Sequence, residues 1–143
     1  MKPIGFFREL EPSMPHAYNA SLDEALRQAT FYDRERVCLY LRSGYPVLDV
    51  MESTEDVVNK SFRVRGGSSI LTDGESIWRA DLESYVSTYQ IALPDGFTSF
   101  VEDNELDAVP RVSREQLIDI SLKVNKLLGF HPSPGADPSL DIS

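Results

Sequence analysis

The sequence predicts a single α+β domain in which about five helices pack on one face of a small antiparallel sheet of three or four strands. Three observations carry this. Helical patterns with capping signals occupy both ends of the chain, and strand patterns cluster in its middle. The composition is that of an ordinary globular protein, with 41% hydrophobic, 10% aromatic and 26% charged residues over 143. A chain of this length buries enough apolar surface to fold without staples.

Residues 4–7 read as a short strand or an apolar anchor, followed by a loop punctuated by Pro12 and Pro15. Ser21, with Glu24 three residues on, forms a capping box for a helix whose apolar face is Leu22, Ala25, Leu26 and Ala29. Asp33 caps a second helix through Val37, Tyr40 and Leu41, with Gly44 as its left-handed terminus. The apolar, β-branched segment after Pro46 suits a strand, and Phe62, Val64 and Gly66-Gly67 suggest another short strand or a bulge. Asp73-Gly74, between Ser69-Ile-Leu-Thr and Glu75-Ser-Ile-Trp, is a strong hairpin signal because both turn residues tolerate positive φ.

Trp78 leads into a helix with Leu82, Tyr85, Val86 and Tyr89 at helical spacing. Leu93-Pro94 breaks it, and Pro94 starts a short helix whose Phe97, Phe100 and Val101 face one way. Ser113 and Gln116 box the last helix, which runs through Leu117, Ile120, Val124 and Leu128 to Gly129. The domain is therefore expected to span residues 1–130, with residues 131–143 as a disordered tail rich in proline.

A formal charge of −9 argues against nucleic acid and acidic membrane faces as partners. Between residues 80 and 110 stand seven carboxylates (Asp81, Glu83, Asp95, Glu102, Asp103, Glu105 and Asp107) and no Lys or Arg. Such a stretch attracts a basic protein, or it is simply a solvated face. The single Cys38 excludes an internal disulfide and fits a small core residue in a reducing compartment. No apolar run approaches the length of a membrane span, and the opening residues lack the apolar region of a signal peptide, so a cytoplasmic location is expected.

No catalytic set assembles from the residues. His16 lies in a proline-rich loop and His131 in the tail, which gives a nucleophile no rigid base. Asp49, Glu52, Glu55 and Asp56 supply carboxylates for a small hydrolase but without an accompanying basic or aromatic cluster. Calcium-loop spacing is absent, and Gly66-Gly67-Ser68-Ser69 matches neither phosphate-binding fingerprint and reads as a bulge or turn. No metal or cofactor is expected. Trp78, Tyr85 and Tyr89 are most simply core aromatics between sheet and helix, although an exposed edge of one would anchor a partner.

Gly67-Ser-Ser-Ile-Leu-Thr-Asp-Gly-Glu-Ser-Ile-Trp, then Asp81-Leu-Glu-Ser-Tyr-Val and Leu93-Pro-Asp-Gly-Phe97, with Pro3-Ile-Gly-Phe-Phe-Arg-Glu-Leu at the start, resemble a group of small uncharacterised bacterial proteins. In that group an Asp-Gly hairpin ends in Trp and is followed by Leu-x-x-Tyr-Val and Leu-Pro-x-x-Phe helices. Its members look similar in size and acidity to the immunity proteins of polymorphic and contact-dependent toxin systems. The resemblance covers about half the chain and implies a non-enzymatic binder of a cationic toxin domain; it carries over no contact residue. The expected partner-binding residues are Asp95, Glu102, Asp103, Glu105 and Asp107, with Trp78 and Tyr89 as aromatic anchors. The alternatives are the small hydrolase at residues 49–56 and a structural or regulatory domain.

Overall fold

A hairpin forms around Asp73 because its carboxylate and Gly74 each do something the turn requires. Asp73 Oδ1 accepts from the backbone N–H of Glu75 and Ser76 at 2.9 and 2.7 Å, and Gly74 takes φ +101°, open to glycine without strain. The turn joins strands Ile70–Thr72 and Ser76–Arg79, which pair antiparallel with Leu71 opposite Trp78. Asp73 itself keeps a negative φ, so one turn residue rather than two enters the left-handed region.

The computed structural model describes residues 1–28, 30–104 and 109–129; the expected tail, 131–143, lies outside the described residues. In chain order the elements are β1 (Lys2–Pro3), α1 (Leu22–Arg27), α2 (Arg34–Arg42), β2 (Tyr45–Leu48), β3 (Thr54–Glu55), β4 (Arg63–Val64), β5 (Ile70–Thr72), β6 (Ser76–Arg79), α3 (Leu82–Tyr89), α4 (Asp95–Asp103) and α5 (Arg114–Leu127). A four-stranded sheet runs β1-β6-β5-β2, and β3 with β4 makes a separate two-stranded ribbon. The α+β class stands.

The sheet is mixed rather than antiparallel, because β1 pairs parallel to β6 with Lys2 opposite Ser76. Residues 4–7 are the anchor and not the strand: Ile4, Phe6 and Phe7 are all buried. Pro46 falls inside β2, which it can do because β2 is an edge strand that need not donate at that position; a register shift follows between Pro46 and Leu48.

Helices cover both faces of the sheet, correcting the one-face expectation. On one side Val37, Tyr40 and Leu41 of α2 and Leu82, Tyr85 and Val86 of α3 pack with Trp78, Phe97 and Val101. On the other, Ile120, Val124 and Leu128 close over Phe6, Tyr18, Ile70 and Ile77. Alternation along β6 explains the arrangement, since Ile77 and Trp78 necessarily point to opposite faces. All four β6 residues are buried as a result.

The helix signals hold in detail with three exceptions, the first being that α3 stops at Tyr89, with Gln90 left-handed at φ +51°, before Leu93-Pro94 is reached. Ser21, Asp33 and Ser113 each accept a backbone N–H three residues on, and Ser113 and Gln116 make the full reciprocal box. At α1 the reciprocal half is replaced: Glu9, from the preceding loop, accepts from Leu22 and Asp23 N–H at 2.9 and 3.1 Å. Burial works against the Glu9 charge, but these backbone bonds outweigh it and hold the carboxyl below its usual range. Gly44 is not a left-handed cap, for α2 ends at Ser43 in the right-handed region. It is glycine because a Cβ there would stand 2.7 Å from Trp78 Cζ2 and 2.9 Å from Leu71 Cβ.

Candidate functional site

Helix α4 is entered through Pro94, its N-cap, and Phe97 and Val101 turn inward. Asp95, Glu102 and Asp103 are left exposed. Asp95 and Glu102 are seven residues apart, two turns, and so share a face. With Thr98 and Ser99 they line a cleft of about 280 Å³ whose other wall includes Phe31 and Tyr32. Phe31 is 94% exposed. Tyr32 is fixed beside it by donating to the Ile91 carbonyl, and Glu102 accepts from Asp33 N–H at 2.7 Å, tying α4 to the start of α2. Glu105 and Asp107 lie outside the described residues.

The remaining expected anchors sit elsewhere. Trp78 is wholly buried, with its indole N–H donated to the Leu41 carbonyl at 3.0 Å, so it presents no edge to a partner and the core reading is the correct one. Tyr89 is half-buried against Phe62 and Tyr85 and donates its hydroxyl to Asp56. Neither lines the α4 cleft. The aromatics that do, Phe31 and Tyr32, precede the Asp33 cap, outside any helical or strand period. A large apolar residue stranded in such a loop was the signal available.

Of the seven acids, the five that lie among the described residues do not make one surface. Asp81 is buried in a two-pronged pair with Arg79, Nε to Oδ1 at 3.0 Å and Nη2 to Oδ2 at 2.8 Å, and its Oδ2 also accepts from the Thr54 hydroxyl at 2.8 Å. Burial opposes both charges: it raises the Asp81 carboxyl in spite of the Arg79 guanidinium beside it, while the Asp81 carboxylate raises the guanidinium. Glu83, on α3, is half-buried.

The hydrolase residues are likewise dispersed in role. Asp56 is buried and accepts from Val58 and Ser61 N–H and from Tyr89; burial opposes its charge, yet these donors hold its carboxyl below the ordinary range. Asp49 and Glu52 are exposed, and Glu55 faces Arg63 at 3.9 Å across the β3–β4 ribbon.

Cys38 is buried, and burial pushes its thiol up to about 11. His16 contacts the Leu127 carbonyl at 2.8 Å at the end of α5, across the sheet from the Cys38 cluster, and His131 lies outside the described residues. The Gly66-Gly67 pair is a tight turn, as expected: Gly66 has φ +64°, and a Cβ on Gly67 would fall 1.8 Å from Thr54 Oγ1. Among the described residues there is no group of three or more His, Cys, Asp or Glu that would hold a metal ion, and no helix long and apolar enough to cross a membrane.

Comparison of the chain with family models, with curated proteins and with solved structures finds no match.

Proposed function

We propose that this protein is a non-enzymatic binder of a basic protein, acting as immunity proteins do when they occlude the cationic cleft of a toxin domain. One observation carries the reading: Phe31, 94% exposed, stands in the same cleft as Asp95 and Glu102. An aromatic anchor flanked by two carboxylates supplies contact area and an attractive field together. The overall charge of −9 extends that field and speeds encounter with a cationic partner. A cytoplasmic site of action belongs to the same proposal.

The test uses the tagged full-length chain as bait in lysate of its native cell. A basic protein retained by the wild type should be lost, or released at lower salt, with Phe31→Ser combined with Glu102→Gln. Equal retention by both baits sinks the reading. Turnover of a phosphodiester, ester or glycoside that disappears with Asp49→Asn or Glu52→Gln would replace it with the hydrolase.

A further inference from the structure

A second cleft, of about 390 Å³, lies on the other side of α4 from Phe31, and the register of the sheet builds it. Ser76 and Trp78 alternate with Ile77 along β6, so both point to the face on which Trp78 meets Phe97 of α4, ring centres 5.9 Å apart. Lys2 stands opposite Ser76 in the parallel pair and points the same way. Phe97 and Val112, both buried, give the cleft an apolar floor, and Phe100, packed on Tyr40 yet 49% exposed, is an aromatic wall.

The polar groups that line it are unequally engaged. Asp73 uses both carboxylate oxygens inside the protein, Oδ1 on the turn and Oδ2 on Tyr40. Lys2, Glu75 and Arg111 are exposed, and none of their side chains makes an ion pair or a hydrogen bond among the described residues. Ser76 is 5% exposed, and its hydroxyl, which keeps accessible surface, makes no hydrogen bond among them either. A nearly buried hydroxyl without a partner, at the inner end of an apolar cleft, is a standing cost that an incoming polar group removes.

These groups describe a ligand. An apolar floor with a half-open aromatic wall takes a flat ring, and a polar tip on that ring reaches Ser76. At the rim, two unpaired cations suit a carboxylate and Glu75 suits an ammonium. The overall charge of −9 repels a free anion, so the ligand that satisfies the rim carries both signs.

We propose that this cleft binds a zwitterionic aromatic α-amino acid with a polar ring tip, tyrosine being the simplest case. Its ring lies against Phe97, Phe100 and Val112, its hydroxyl pairs with Ser76 Oγ, its carboxylate meets Lys2 and Arg111, and its ammonium meets Glu75. The proposal does not rest on the capture of a basic protein, whose surface is the other side of α4.

The probe is L-tyrosine, titrated into the ¹⁵N-labelled full chain and followed by NMR. Saturable shifts are expected at the Gly74, Gly96 and Val112 amides, with a Kd on the order of 1 mM. Phenylalanine, which lacks the hydroxyl, should bind about threefold to tenfold more weakly. Tyramine, without the carboxylate, and 3-(4-hydroxyphenyl)propionate, without the ammonium, should each lose about threefold. Ser76→Ala removes a hydroxyl that bonds to nothing in the free protein, so it should melt as wild type does and bind tyrosine and phenylalanine equally. Arg111→Gln, at an exposed site, should erase most of the preference for tyrosine over tyramine and leave the preference over phenylalanine intact.

Absent shifts, or equal binding of tyrosine and phenylalanine by the wild type, overturn the proposal and leave the cleft to water. Tyramine binding more tightly than tyrosine, with shifts around Asp95 and Glu102, overturns it in favour of the acidic cleft. Tyrosine affinity that neither Ser76→Ala nor Arg111→Gln alters places the ligand elsewhere and overturns it as well.

Discussion

Asp73-Gly74 and Asp95-Gly96 are the same dipeptide in two regions of the molecule, and the fold uses them in opposite ways. In the hairpin, Asp73 is buried and accepts from Tyr40 Oη, at 2.7 Å, as well as from two backbone N–H groups, while Gly74 holds a φ closed to other residues. In α4, Asp95 is exposed in the first helical turn, and a Cβ on Gly96 would meet nothing within 4 Å. The flanks decide. Ile70-Leu-Thr and Ser76-Ile-Trp bring alternating apolar residues that need a sheet, whereas Pro94 sets a helical φ and Phe97 and Val101 follow at helical spacing. A turn motif is thus a permission, and the hydrophobic period on either side exercises it.

Substitutions can break this comparison. The largest effect is expected from Asp73→Ala, which leaves the Tyr40 hydroxyl and the Ser76 N–H buried without an acceptor and should cost about 3 kcal/mol. Chemical denaturation measures it, and Asp73→Asn, which keeps an acceptor oxygen, should recover much of the loss. A wild-type midpoint for the alanine variant would mean that the carboxylate contacts are incidental to the turn.

Gly74→Ala should destabilise by about 1–3 kcal/mol, because an L residue is strained at φ +101° and its Cβ would also press on Val112 at 3.3 Å. The same change at Gly96 should have the opposite sign. In an open helical position alanine restricts the unfolded chain and favours the helix, so Gly96→Ala should raise stability by about 0.4–1 kcal/mol. Thermal melting of the two variants side by side gives the sign directly; two losses would show that α4 needs its glycine for a reason other than backbone freedom.

The smallest stability effect belongs to Asp95→Asn, within about 0.5 kcal/mol, since an exposed carboxylate near a helix start contributes little. Its consequence is expected in kinetics instead. With a captured basic partner, association should slow and become less sensitive to salt, while dissociation changes little. An unchanged on-rate in surface plasmon resonance would mark Asp95 as a solvated charge.

What was legible in the chain was local. Ser21, Asp33 and Ser113 announce helices because a cap and its target lie three residues apart, and the Asp73 hairpin is written within ten residues. The parallel pairing of β1 was not legible, since nothing near Lys2 specifies Ser76. Trp78 was legible as a core residue between hairpin and helix, but its packing under Gly44, a contact across more than thirty positions, was not. At the sites, the exposure of Asp95, Glu102 and Asp103 followed from the inward turn of Phe97 and Val101. Asp81 looked like another surface acid. Only the fold brings Thr54 and a buried Arg79 to it, and only the fold leaves Phe31 uncovered.

The pairing of Lys2 with Ser76 also bears on how the polypeptide is made. Phe6 and Phe7 have near neighbours in Tyr18 and Ala20, but Ile4 N–H donates to the Ile77 carbonyl, so the rest of the cover of this segment waits for the middle of the chain. At about 5–20 residues per second that interval is roughly 4–15 s, long enough for a chaperone to find it. Nascent chains arrested before Ser76 emerges should therefore bind a hydrophobic dye or a holdase, and chains arrested well beyond it should not. Equal binding by the two would mean that this segment finds temporary cover elsewhere.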